Sequence, residues 1–382
     1  MGKSFSDESS DYHATRDRLV VEEVALRRQM EAMSASADHG GSDPLGLSRR
    51  CLLWGAVAAS LAGCTRSQTG IGNHLEAEWL TVNGTRQWLV VKGAPRIGPV
   101  VLILHGGPGA SETLLFRHFN RALEDHFRIA YWDQRGAGLS YDAASPPRNL
   151  TVAQVVSDLG VVVEYLRQKL KAPVVLLGHS WGSALGLLYA HRSPEAVKAV
   201  IGVGQVADQA EQEQASYAFA LSEARRRRNE KAVRELEAIG RPPFDVPALL
   251  IKNRWVERFG GYFAAGFDKY GLAFKAVLSG EAGIGEIRHS IAANEFTLKT
   301  MWPEVRSLNI PGLVPKLGIP AAFLLGRFDH QCPSNLAAAY FGKLRAPDKT
   351  LRWFEKSAHN IPFEQPLEFN AAIVDLVDQW AN

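Results

Sequence analysis

Cysteine is scarce in this chain of 382 residues: only Cys51, Cys64 and Cys332. No two have metal-ligand spacing, which speaks against a thiolate zinc site and against a disulfide framework. No metal and no cofactor is expected. An excess of one charge is also missing. The 43 Lys and Arg residues nearly balance 40 Asp and Glu, for a net charge of +3. That balance leaves no electrostatic footprint for a nucleic-acid partner. The one basic cluster, Arg225 to Arg228, lies in a polar, helix-forming stretch. It reads as a solvated helix face, with an acidic partner or lipid headgroups as the alternative. The apolar run from Leu52 to Ala62 is too short to cross the ~30 Å of a bilayer's hydrocarbon as a helix. Internal repeats and low-complexity tracts are absent. The 46% hydrophobic content is that of a soluble globular protein.

The short apolar run has a different meaning. Ser48-Arg49-Arg50-Cys51 precedes it and Leu61-Ala62-Gly63-Cys64 closes it. The first tetrapeptide resembles a twin-arginine export signal and the second a bacterial lipobox. The resemblance implies that residues 1–64 are an export and lipoprotein signal and that Cys64 is lipidated. Acyl chains would then hold the mature chain to a bacterial membrane, on its periplasmic or cell-surface side. A cytoplasmic protein with a plain N-terminal helix is the alternative. Met30 and Met33 compete with Met1 as the start. Residues 65–75 read as a linker.

From residue 76 the pattern changes. Two strand-like runs flank Asn83-Gly84, the signature of a tight hairpin whose turn residues need positive φ. Short apolar runs follow at Val100 to Leu104, Phe127 to Trp132, Val174 to Leu177 and Val197 to Val203. They suit strands buried on both faces of a parallel sheet. Helical patterns lie between them, so the alternation predicts a doubly wound α/β sheet. It breaks at about Ala207, where a polar, helix-rich stretch begins. Strand signals return at Ala321 to Leu325 and Leu351 to Phe354, and a helix closes the chain at Leu367 to Trp380. The expected organisation is a core of 76–206 plus 306–382, with a helical cap at 207–305 over the carboxyl edge of the sheet. Open α/β sheets bind ligands at that edge.

The chemistry-bearing residues fall at the ends of these strands. Gly178-His179-Ser180-Trp181-Gly182 joins a strand to a helix, and a serine between such glycines stands on a sharp, strained turn. A hydroxyl needs a base to become a nucleophile. His359 follows the last strand and Asp329 the one before it, so Ser180, Asp329 and His359 are expected to form a catalytic triad. His105-Gly106-Gly107-Pro108-Gly109 follows an earlier strand, and its small residues let the backbone approach a substrate. The amides of Gly107 and Trp181 are the expected oxyanion hole. The loop Asp133-Gln134-Arg135-Gly136 is expected to be structural, with Asp133 and Arg135 paired.

Together these motifs resemble the α/β-hydrolase superfamily over residues 76–382. Within it, His105 to Gly109, Asp133 to Gly136 and Ser180-Trp181-Gly182-Ser183 are similar to the prolyl aminopeptidase (proline iminopeptidase) group. The resemblance implies an α/β-hydrolase fold and a metal-free serine aminopeptidase that releases N-terminal residues from peptides through a covalent acyl-enzyme. It also implies that cap glutamates hold the substrate's free amine; Glu211, Glu213 and Glu295 are the candidates. The alternatives are an esterase, amidase or lactonase acting on small apolar compounds, and a noncatalytic binding protein on the same fold. Small peptides, esters or amides are therefore the expected ligands.

Overall fold

The computed structural model describes residues 77–93, 98–264 and 284–381. The expected export signal, Cys64 and the linker at 65–75 lie outside the described residues. Among the described residues, no helix is long and apolar enough to cross a membrane.

Eight strands form one sheet. They are β1 (Ala77–Val82), β2 (Thr85–Lys92), β3 (Val100–Leu104), β4 (Arg128–Trp132), β5 (Val174–His179), β6 (Ala199–Val203), β7 (Ala321–Gly326) and β8 (Lys349–Phe354). Their order is β1-β2-β4-β3-β5-β6-β7-β8. The first two strands run antiparallel to their neighbours and every later pairing is parallel. Asn83 and Gly84 make the β1–β2 turn at φ 44° and 78°. Both turn positions thus have the positive φ that an Asn-Gly hairpin requires.

The unbroken apolar runs of the central strands follow from burial on both faces. Val100, Leu102 and Leu104 of β3, with Val174 and Leu176 of β5, face one hydrophobic cluster. Val101, Ile103, Val175 and Leu177 face the other. Helices α2 (Val152–Leu170) and α3 (Trp181–Arg192) cover the first face. Helix α1 (Thr113–Asn120) and the last helix, 366–381, cover the second. Each fully buried aliphatic side chain stabilises the fold by about 1.5–3 kcal/mol, so removing either helical layer would expose a continuous apolar surface.

After β6 the chain leaves the sheet for α4 (Gln209–Arg226), α5 (Glu230–Ala238), α6 (Val246–Arg258) and α7 (Ile284–Val305). The polar, helix-forming stretch is broken between α4 and α5. Arg228 adopts φ 53°, and the Asn229 side chain caps α5 by accepting from the Ala232 amide. The excursion closes on itself at an antiparallel bridge between Asp208 and Asn309. The short α8 (Ile310–Leu313) then returns the chain to β7. Helices α9 (Ser334–Lys343), α10 (Ile361–Glu364) and α11 (Pro366–Ala381) complete the core.

Arg135 does not pair with Asp133. Its guanidinium reaches Asp158 of α2 at 2.6 and 2.9 Å, and both groups are buried. Asp158 also accepts from Asn83, Gln87 and Gln154. Asp133 instead accepts from the hydroxyls of Ser111 and Thr113 and from the Leu139 amide. The nearer acid in sequence loses because its oxygens are filled by Ser111 and Thr113 from the loop after β3 and by the Leu139 amide. Replacing Asp158 by Asn would leave a buried guanidinium without its counter-charge. Urea unfolding is expected to show a loss of about 3–5 kcal/mol, the usual cost of breaking a buried ion pair.

Candidate active site

The carboxyl ends of β3, β5, β7 and β8 carry the loops that hold the expected functional residues. Ser180 follows β5 at φ 53°, a left-handed conformation unusual for a non-glycine residue. Packing imposes it. A Cβ on Gly182 would press against the Leu104 carbonyl, and one on Gly178 against the Gly182 carbonyl. The Ser180 amide donates to the Val203 carbonyl at 2.9 Å, and the Ser183 hydroxyl donates to the Ser180 carbonyl at 2.6 Å. The turn is thereby fixed to β6 as well as to β3.

His359 Nδ1 lies 2.8 Å from Asp329 Oδ2, with both side chains buried. The other oxygen, Asp329 Oδ1, accepts from the amides of Gln331 and Cys332 at 2.9 and 2.8 Å. An acceptor so filled fixes the imidazole as the Nδ1–H tautomer. Gly204, at φ 53°, lies so close behind the ring that a Cβ there would be 2.9 Å from His359 Nδ1. Burial pushes the Cys332 thiol far up, keeping it protonated. His330 is turned aside, stacked on Phe219 of the cap at 3.7 Å between ring centroids.

The loop after β3 is tied at both ends. His105 Nδ1 meets the Gly106 carbonyl at 2.9 Å, and its Nε2 accepts from the Gln134 amide at 3.1 Å. Its imidazole is lowered by burial, in keeping with a neutral ring. Gln134 Oε1 accepts from the Trp181 indole at 3.0 Å, linking this loop to the turn that carries Ser180. The Gly106 amide donates to Glu112 at 3.0 Å, while Gly107 adopts φ 116°.

Comparison with known proteins agrees with this architecture. A family model described as the alpha/beta hydrolase fold matches residues 99–237. The probable aminopeptidase YbaC of Bacillus subtilis is 28% identical over 293 residues, spanning 76% of this chain and 92% of its own length. A proline iminopeptidase of Heyndrickxia coagulans is 27% identical, spanning 74% and 91%. The crystal structure of a proline iminopeptidase from Mycobacterium smegmatis superposes with a TM-score of 0.57 at 19% identity, covering 80% of this chain and 99% of that one. This chain has the α/β-hydrolase fold. It is related to the proline iminopeptidases.

The cap meets the core on two sides. Asn294 and Thr297 of α7 donate to the carbonyls of Pro108 and Gly136 at 3.2 and 2.6 Å. The segment Gly261–Ala264 is strapped across the other two loops. Gly261 accepts from the amides of His330 and Gln331, and Tyr262 from the amide of His359. Of the three cap glutamates, Glu211 is exposed, and Glu295 is exposed and paired with Lys299. Glu213 is buried, with Lys252 Nζ at 3.7 Å, and neither of its carboxylate oxygens has a hydrogen-bond partner among the described residues. Burial pushes the Glu213 carboxyl up, opposed by Lys252. The equally buried Lys252 ammonium is pushed down and donates to Ser216 at 3.1 Å.

Four groups in this region escaped the sequence reading: Glu112, Lys252, Tyr262 and Glu364. None belongs to a motif, and each acts through a partner distant in the chain. Glu364 accepts from the amides of Ala264, Ala358 and Asn360, clamping the cap strap to the His359 loop. Burial raises its carboxyl to about 7. A carboxyl raised on folding binds a proton that the unfolded chain releases, so stability falls as pH rises from the ordinary carboxylate range through about 7. Glu364→Gln is expected to remove this share of the pH dependence, read as urea midpoints of both proteins at pH 5 and pH 8.

Proposed function

We propose that the chain hydrolyses acyl compounds by a covalent mechanism, with Ser180 as nucleophile, His359 as general base and Asp329 as the acid that orients it. The 2.8 Å bond between buried His359 and Asp329 carries this reading, because it leaves Nε2 as the basic nitrogen. In the first step His359 takes the Ser180 proton as Oγ bonds to the substrate's acyl carbon. The same proton then passes to the leaving group, and water repeats the sequence to release the acid. Asp329 stabilises the imidazolium formed in between. The Gly107 and Trp181 amides take the oxyanion, since the Gly106 amide is already bound by Glu112.

The substrate we assign is a peptide or amide with a free N-terminal amine, as the names of the relatives suggest. Glu213 is the cap acid we assign to the amine, being buried and short of hydrogen bonds. Lys252 beside it favours a second reading, an esterase or amidase for acyl groups without charge at that end.

Four measurements test these assignments. A fluorophosphonate probe is expected to label the native protein at Ser180, and Ser180→Ala to lose turnover by at least about four orders of magnitude. An unlabelled native protein would instead favour a noncatalytic binder. Prolyl p-nitroanilide and p-nitrophenyl acetate separate the substrate classes; turnover of the ester alone sinks the aminopeptidase reading. Glu213→Gln is expected to raise KM roughly tenfold to hundredfold for amine-bearing substrates, the loss of one charged hydrogen bond.

A further inference from the structure

The residue before the proposed nucleophile belongs to a buried hydrogen-bonded pair that the hydrolytic steps do not use. His179 Nδ1 lies 2.7 Å from Glu112 Oε1, and its Nε2 lies 3.1 Å from the backbone carbonyl of His359. A carbonyl only accepts, so Nε2 carries a proton. Glu112 Oε2 meanwhile accepts from the Gly106 amide at 3.0 Å. The arrangement is satisfied in full when both ring nitrogens donate, as an imidazolium facing a carboxylate.

This one ring reaches three parts of the proposed site. It is covalently next to Ser180, hydrogen-bonded to the backbone of His359, and joined through Glu112 to the loop that carries Gly107. We propose that His179 is a positioning residue held as an imidazolium by Glu112, and that its loss of a proton sets the alkaline limit of turnover. The proposal rests on the hydrolase mechanism above. A neutral ring has one donor for two acceptors. Deprotonation therefore releases either the His359 carbonyl or the Glu112 carboxylate, and with it the register between base, nucleophile and oxyanion loop.

The surroundings favour the charged pair. Burial lowers the His179 imidazole, but Glu112, the His359 carbonyl and Asp329 together outweigh it and the net shift is upward. Burial likewise works against the Glu112 carboxylate, yet His179 and the Gly106 amide bring it below its ordinary value. Asp329, on the loop after β7, adds a second negative charge. The His359 ring stands 5.0 Å away between centroids, and Phe363 of α10 closes the side at 6.2 Å. His105 faces Glu112 from the end of β3, and Tyr262 faces it from the cap strap. Glu364 holds the amides on either side of His359.

The test combines imidazole NMR of the folded protein with the pH profile of kcat/KM. In the wild type, the His179 midpoint is expected above the ordinary histidine range and coincident with the alkaline limb. In Glu112→Gln both are expected to move down together by about one pH unit or more, with the acid limb unmoved. His179→Gln, which cannot titrate, is expected to lose that limb while retaining some activity. A wild-type His179 that titrates at or below the ordinary histidine range overturns the proposal. So does an alkaline limb that stays in place in both variants. An inert protein with a charged His179 would count against the hydrolase mechanism instead, because the NMR titration needs no substrate.

Discussion

The site depends on a place where two backbones nearly touch. At the carboxyl end of β5 the chain passes so close to β3 that Gly182 lies directly on the Leu104 carbonyl. Only a residue without a side chain fits, and helix α3 has to start at once. Ser180 is thereby left at φ 53°. Strain of this kind costs about 1–3 kcal/mol and persists only where the surroundings over-determine it. Here they do. Ser180 is fastened to β6 through Val203, and the Ser183 hydroxyl that holds the Ser180 carbonyl also accepts from the Val206 amide.

Around that crossing, buried polar groups fall into two kinds. Asp158, Glu112 and Asp329 have both oxygens engaged, and each joins segments far apart in the chain. Filled networks of this sort hold a single geometry, because breaking one bond strands a polar atom in a medium of low dielectric. Glu213 is the other kind: buried, ion-paired at 3.7 Å, with no hydrogen bond to its oxygens among the described residues. The scaffold beneath the site is closed to new partners. The cap holds a polar group still able to accept one.

Much of this was legible in the order of residues. The buried strands stood out as short apolar runs because burial on both faces removes the alternation of a half-exposed strand. Gly178-His179-Ser180-Trp181-Gly182 was recognisable because its glycines are dictated by the crossing itself. The partner of Arg135 was not. Asp133 is two residues away and Asp158 is 23, and only the packing of α2 against the hairpin decides between them. The same holds for Glu112 with His179, 67 residues apart, and for Lys252 with Glu213. Local pattern encodes periodicity and turn chemistry, whereas a pair formed across the fold leaves no trace in either. The break after Arg226 was hidden for another reason. Its residues suit a helix, and it is marked only by the positive φ of Arg228 and the Asn229 cap.

The feet of the cap, Asp208 and Asn309, stand side by side in one antiparallel bridge. Seen from the sheet, the whole excursion between them is equivalent to a single closed loop joining β6 to β7. Its length and content can change without disturbing the parallel pairing of those two strands, as a surface insertion does. The pairing of the strands and the content of the excursion are therefore separable.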